Sequence, residues 1–210
     1  MKAPTYQDLS ERTLADYEAR AAAFWEGTRD HDVSQNLNCL LDALGPGRHR
    51  ILDFGCGPGR DLKVFRDAGH EAVGLDACPS FAAHARQYSG CEVLQQNFLQ
   101  LDLPKGYFDG IFANASFFHV PSAHMPAVLA AFDHSLRPGG YLFMSNPRGA
   151  GEGFNGRSYV TYLEFEDYAR LLQQAGFELL THYYRPPGLP RDQQPWLALL
   201  AHRNIPSAGN

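Results

Sequence analysis

The 210-residue sequence has no excess of positive charge: 18 lysines and arginines stand against 23 aspartates and glutamates, for a net charge of −5 at pH 7. Nucleic acid and anionic membrane surfaces attract the opposite balance, so neither is an expected partner and small molecules take their place. Cysteine is scarce. The four residues, at 39, 56, 78 and 91, form no C-x-x-C pair and no zinc-like spacing, which predicts reduced thiols in a cytoplasmic protein rather than a disulfide framework. The histidines lack H-E-x-x-H or similar spacing, so no metal is expected. Long apolar runs are missing too. No segment approaches the ~20 residues of a membrane span, and the N-terminal MKAPTYQDLSERTLADYEAR lacks the apolar stretch of a signal peptide. What is present is a 44% hydrophobic share with 14 Phe and 10 Tyr, enough for the core of one domain over residues 1–210.

Apolar residues recur at helical spacing over 11–26 and again at Leu37, Leu40, Leu41 and Leu44, with Ser34 placed to cap the second stretch and Gly45-Pro46-Gly47 to stop it. Two helices are therefore expected within residues 1–47, as a cap on a core over 48–203. From Arg50 the pattern becomes short apolar runs alternating with helical ones: RILDF, DLKVFRDAG, EAVGLD, PSFAAHARQY, CEVLQQ, FDGIFANA. Such alternation predicts an α/β fold with a mainly parallel sheet and ligands beyond the C-terminal strand ends. A helix over 121–136, a strand over 139–146, a helix over 163–177 and two final strands follow. The glycine-rich 147–158 reads as a loop and candidate lid.

The strongest local signal is Asp53-Phe54-Gly55-Cys56-Gly57-Pro58-Gly59, at the end of the first strand. A dinucleotide fingerprint G-x-G-x-x-G counted from Gly55 needs glycine at position 60, where Arg60 stands, and no phosphate-binding P-loop is present. A carboxylate at Asp53 would repel a pyrophosphate but attract an ammonium. Asp76 ends the second strand, where an acid accepts hydrogen bonds from ribose hydroxyls. A ligand with a ribose, an amino group and no phosphate fits S-adenosylmethionine, whose product after methyl transfer is S-adenosylhomocysteine.

These residues resemble the class I S-adenosylmethionine-dependent methyltransferases over residues 50–203. The resemblance implies a Rossmann-like, seven-stranded, mostly parallel sheet flanked by helices, its last strand antiparallel. It also implies that Asp53 and the loop residues Gly55, Cys56, Gly57 and Gly59 hold the methionine end. Asp76 then holds the ribose, Ala77 flanks the adenine, Asn97 and Phe98 meet it after the third strand, and Asn114 and Ala115 lie beside the cofactor after the fourth.

The [ND]-P-P-[YF] of nucleic-acid amino-methyltransferases is missing after the fourth strand, where Asn114-Ala115-Ser116-Phe117 stands. A narrower similarity lies outside the cofactor motifs. Trp25-Glu26-Gly27-Thr28-Arg29-Asp30-His31-Asp32-Val33-Ser34-Gln35-Asn36, Phe117-Phe118-His119-Val120-Pro121, Ser145-Asn146-Pro147-Arg148-Gly149, His182-Tyr183-Tyr184-Arg185-Pro186 and Gln193-Gln194-Pro195-Trp196 resemble the methyltransferase domain of ovothiol biosynthesis. That family methylates an imidazole nitrogen of 5-thiohistidine, often fused to a sulfoxide synthase. By this resemblance a sulfoxide synthase is the expected partner or fusion and 5-thiohistidine the expected substrate. The expected catalytic residues are His119 and Asn146. Arg148 is the expected clamp for the substrate carboxylate, with Arg185 and Arg29 as rivals, and Asp32 the partner of its ammonium. Gln35 and Asn36 orient the ring, and Tyr17, Trp25, Tyr183 and Tyr184 wall the site. Two alternatives remain open on the sequence: methylation of another small amine or thiol, and a non-catalytic cofactor-binding module.

Overall fold

The structure, a computed structural model, describes residues 5–204. Residues 1–4 and 205–210, the outer ends of the expected domain, lie outside the described residues. Thr5 and Asp8 cap each other's backbone N–H groups, at 3.3 Å and 2.6 Å, and so start helix α1 (Tyr6–Ala19). The apolar stripe over 11–26 predicts one helix, but Arg20 leaves helical geometry (φ −118°, ψ 14°) and α2 (Ala21–Thr28) starts afresh. The break turns Tyr17 and Phe24 onto the same space, their rings meeting edge-on at 5.6 Å, while the periodicity runs across it unmarked. Three helices therefore precede the first strand. In the third, α3 (Ser34–Leu44), the N-terminal N–H of Ser34 donates to Asp32 Oδ1 at 2.9 Å, so Asp32 does the capping expected of Ser34. Gly45, at φ +72°, ends it.

The alternation then runs β1 (Arg50–Phe54), α4 (Arg60–Asp67), β2 (Glu71–Leu75), α5 (Pro79–Ser89), β3 (Glu92–Leu94), β4 (Phe108–Asn114), α6 (Met125–Ser135) and β5 (Leu136–Pro147). A hairpin of β6 (Gly151–Asn155) and β7 (Ser158–Tyr162), helix α7 (Phe165–Gln174), β8 (Phe177–Arg185) and β9 (Trp196–Arg203) complete the chain. The sheet order is β3-β2-β1-β4-β5-β9-β8. The first five strands are parallel, and β9 inserts antiparallel between β5 and β8, as the resemblance implies.

Side chains alternate across this sheet, and both faces are buried. Leu52, Phe54, Leu142 and Met144 pack with Phe132, Tyr168 and Leu172 of α6 and α7. Ile51, Phe112 and Phe143 pack with Leu40, Leu62, Phe65 and Ala85 of α3, α4 and α5. Burial on both faces is why these strands read as nearly continuous apolar runs. The expected lid loop over 147–158 is instead half of the β6–β7 hairpin, whose two-residue turn starts at Gly156 with φ +63°. Positive φ at the first turn position matches strand twist, and glycine supplies it without strain. Strand order reverses between β1 and β4, which opens a crevice beyond their C-terminal ends. Among the described residues no helix is long and apolar enough to cross a membrane.

Candidate active site

The glycine loop after β1 is held down by its own backbone. Gly55 and Cys56 donate to the Leu75 carbonyl at 2.7 and 3.0 Å. Gly55 needs to be glycine twice over: its φ is +74°, and a Cβ there would lie 2.3 Å from Ser116 Cβ. Gly59 is equally enclosed, since a Cβ would meet Ala85 Cα at 2.8 Å. Ala115, just after β4, adopts φ +58° with its N–H on the Ser145 carbonyl at 2.7 Å. A non-glycine residue there costs about 1–2 kcal/mol.

Two clefts meet at this loop. The first, about 760 Å³, is lined by Tyr17, Gly55, Gly57, Asp76, Ala77, Asn97, Phe98, Ala115 and His119 of the expected set, and also by Leu9, Phe81 and Leu99. The second, about 1430 Å³ and more open, is lined by Trp25, Asp32, Gly55, Cys56, Gly57, Asn114, Ala115 and Arg185 of that set, and also by Arg60, Asp61, Ser145 and Trp196. Phe24, Gly55, Gly57 and Ala115 border both.

Asp76 is buried at the floor of the first cleft. Its Oδ2 accepts from Gly57 N and its Oδ1 from Cys78 N, both at 2.9 Å. Burial pushes its carboxyl up to about 6, against the pull of these amide donors. Further donors such as ribose hydroxyls would restore the charged form. Asn97 donates to Ser10 Oγ at 2.8 Å and accepts from Leu99 N at 2.9 Å, beside the apolar Phe98, Leu99 and Leu9. The first cleft thus fits a flat base and a ribose.

His119 sits on the far wall in the short turn Phe117–His119. Its Nδ1 lies 2.7 Å from the Tyr159 carbonyl and its Nε2 2.8 Å from the Tyr17 hydroxyl. A carbonyl only accepts, so Nδ1 carries the proton and Nε2 accepts from tyrosine. Burial pulls the imidazole down to about 4, so the ring is neutral at pH 7. Asn146 lines neither cleft. Its buried Oδ1 accepts from Phe118 N at 3.2 Å and braces the His119 turn, while its Nδ2 has no partner.

Several expected site residues lie elsewhere. Arg148 is paired with Glu164 at 3.1 Å, donates to the Arg191 carbonyl at 3.1 Å and lies 5.4 Å from the Tyr184 ring, outside both clefts. Arg29 pairs with Glu26 at 3.1 Å. Gln35 is exposed, and Tyr184 packs against the core edge. Tyr183 and the fully buried Asn36 stand behind Asn114 rather than in the cleft. Asp53 is buried beneath the start of α4, with Oδ2 unpartnered; burial and the neighbouring Asp61 hold its carboxyl well above the usual range.

Arg60, Asp61, Ser145, Phe24 and Trp196 line the clefts, and Glu18 holds Cys78 at the edge of the first, but sequence alone gives none of them a site role, although Ser145 and Trp196 stand in the strings of the narrower resemblance. For Asp61 a signal existed: an acid in the first turn of the helix that the glycine loop opens faces back toward the strand ends. Glu18 has none. It accepts from Cys78 Sγ and Ser80 N, each at 3.0 Å, and from the Ser80 hydroxyl, so it ties α1 over the first cleft. Among the described residues no three His, Cys, Asp or Glu side chains gather as metal ligands.

Residues 51–140 match the family model of a methyltransferase domain. The chain is similar to the ubiquinone biosynthesis O-methyltransferase of Xanthomonas axonopodis pv. citri, at 29% identity over 90% of this chain and 80% of that protein. It is also similar to a methyltransferase of Geobacillus kaustophilus, at 26% identity over 67% of this chain and 66% of that protein. In fold it resembles the Burkholderia thailandensis 1,6-didemethyltoxoflavin-N1-methyltransferase solved with S-adenosylhomocysteine. The TM-score is 0.79 and the identity 21%, over 97% of this chain and 93% of that one. On its sheet order, its glycine loop and the match over residues 51–140, the chain has the Rossmann-like fold of the class I methyltransferases and is similar to a methyltransferase domain over that stretch.

Proposed function

We propose that this chain is an S-adenosylmethionine-dependent methyltransferase that alkylates a ring nitrogen of 5-thiohistidine, the last step of ovothiol A formation, working with or fused to a sulfoxide synthase. The observation that carries the reading is the shared border of the two clefts at Phe24, Gly55, Gly57 and Ala115. A cofactor with its base and ribose in the first cleft meets a substrate in the second at this border. When bound, the cofactor would supply an electrophilic methyl group on a sulfonium: the imidazole lone pair would form the N–C bond, the C–S bond pair would stay on sulfur, and the ring cation would lose its proton to solvent.

The second cleft suits a small zwitterion with a flat ring. Trp25 and Trp196 provide apolar walls. Arg185, whose guanidinium has no carboxylate within ion-pair distance among the described residues, takes the substrate carboxylate in place of Arg148. Asp32, its carboxyl held low by the Ser34 N–H, offers its other oxygen to the ammonium. His119 serves by holding Tyr17, whose ring meets Phe24 of the shared border, and Asn146 by bracing the His119 turn. The chain's share of the rate is alignment and exclusion of water, for which orientation alone is worth roughly 7–11 kcal/mol. The toxoflavin enzyme, an N1-methyltransferase by name, supports a nitrogen acceptor on this fold.

The test is S-adenosylhomocysteine production from 5-thiohistidine against histidine. Faster turnover of the thiol is expected, and equal rates would overturn the assignment. Binding of cofactor without turnover of any imidazole thiol would favour a non-catalytic module.

A further inference from the structure

Asp53, the acid expected at the cofactor's methionine end, does not border either cleft. Asp61 does, and a directional chain of hydrogen bonds ends on it. The Tyr183 hydroxyl donates to Asn36 Oδ1 at 2.9 Å, Asn36 Nδ2 donates to Asn114 Oδ1 at 2.8 Å, and Asn114 Nδ2 donates to Asp61 Oδ2 at 3.2 Å. Arg60 closes on the same carboxylate with Nε and Nη2, at 2.6 and 3.0 Å, while its Nη1 donates to the Thr28 carbonyl at 2.8 Å. Every amide in the chain has its orientation set by its neighbour, and the two oxygens of Asp61 receive all three donors. The side chains come from β8, α3, β4 and α4, so the carboxylate is positioned from both halves of the sheet.

The second cleft holds an independent sign of a ligand. Ser145 lines it with a fully buried hydroxyl that has no hydrogen-bond partner. A buried hydroxyl without a partner is costly, and a polar group arriving in that cleft relieves it. The glycine loop ties the two ends of the ligand together: Gly57 N–H binds Asp76, and Gly57 also borders the second cleft. A ligand with its ribose on Asp76 extends its tail past Gly57 toward Asp61.

We propose that Asp61, rather than Asp53, receives the α-ammonium of the cofactor, and that Tyr183, Asn36 and Asn114 are positioning residues for it. The inference rests on the S-adenosylmethionine reading and is independent of the methyl acceptor. Asp53 then acts from behind, as a buried support of the α4 start.

The test compares two ligands on the full chain by titration calorimetry: S-adenosylhomocysteine, which carries the amino-acid end, and 5′-methylthioadenosine, which lacks it. Asp61→Asn is expected to weaken S-adenosylhomocysteine on the order of tenfold or more, the loss of a charge-assisted hydrogen bond, and to leave methylthioadenosine within about twofold. Tyr183→Phe, remote from the loop, should weaken S-adenosylhomocysteine alone by a few-fold and keeps the idea testable if Asp61→Asn does not fold. Equal losses for both ligands, no loss for either, or a selective loss in Asp53→Asn in place of Asp61→Asn would overturn the inference. Failure of the native chain to bind either ligand would instead remove the cofactor assignment, and this inference with it.

Discussion

The Tyr17 hydroxyl lies 2.8 Å from His119 Nε2, and this contact decides what the histidine does. With Nδ1–H committed to the Tyr159 carbonyl, the remaining lone pair is already occupied, so the ring is a holder of Tyr17 rather than a free base. Nitrogen-15 NMR should find the Nδ1–H tautomer, with His119 titrating near the value of about 4 to which burial pulls it. Titration near the ordinary 6.5, or an Nε2–H tautomer, would contradict this arrangement. Tyr17→Phe should lower kcat about tenfold with a smaller change in KM, since it loosens the junction rather than the second cleft.

Asp76 carries a pH dependence whose sign follows from its raised value of about 6. Ribose hydroxyls bind the ionised carboxylate, so cofactor affinity should hold above pH 6 and fall by up to about tenfold per unit below it. Asp76→Asn should bind weakly and without that slope. For the free protein the sign reverses. The unfolded chain loses this proton near pH 4, so stability from protonated Asp76 is present below pH 4 and lost as pH rises through about 6. His119 opposes it: its folded value is depressed to about 4, so its contribution is present above pH 6.5 and lost as pH falls through 4. Thermal melts of Asp76→Asn should therefore rise more steeply between pH 4.5 and 6.5 than those of the native chain.

The loop glycines separate by what surrounds them. Gly55→Ala and Gly59→Ala place a Cβ at 2.3 Å from Ser116 and 2.8 Å from Ala85, and each should cost about 3 kcal/mol or more or prevent folding. Gly57→Ala meets nothing nearer than Phe24 at 3.9 Å, so only its φ of +52° is penalised, by about 1 kcal/mol. Denaturant melts of the three variants give the order; a Gly57→Ala as damaging as the other two would refute it.

Arg185 and Arg148 make a paired test of the substrate cleft. Arg185→Ala should raise the KM for 5-thiohistidine about tenfold with kcat little changed, because it removes binding shared by ground and transition states. Arg148→Ala breaks the Glu164 pair outside the clefts and should alter KM less than about twofold. The reverse ranking would restore Arg148 as the clamp.

Local signals carried the parallel core. The glycine spacing, strand-end Asp76 and each single strand or helix of the β1-to-β5 rhythm are local signals, every one of them written in a short contiguous stretch. The Arg20 break was not legible, because the apolar stripe continues across it while the backbone turns. The β6–β7 hairpin was written at Asn155-Gly156, but five glycine-rich residues with no alternation hid its strands. Arg148 follows β5 as expected, yet Glu164, from a separate segment, draws it away from the cleft.

By itself the sequence determined the strand–helix alternation from β1 to β5, the parallel core it builds and the glycine loop, because turn chemistry and hydrophobic period act between near neighbours. Only tertiary structure decided which polar groups meet. Tyr17, His119 and Tyr159 converge from a cap helix, a short turn after β4 and a hairpin, and Tyr183, Asn36, Asn114 and Asp61 from four separate elements. Each such contact needs two distant backbones to be fixed within a hydrogen-bond length, and that comes from packing the sheet's two faces rather than from any local pattern.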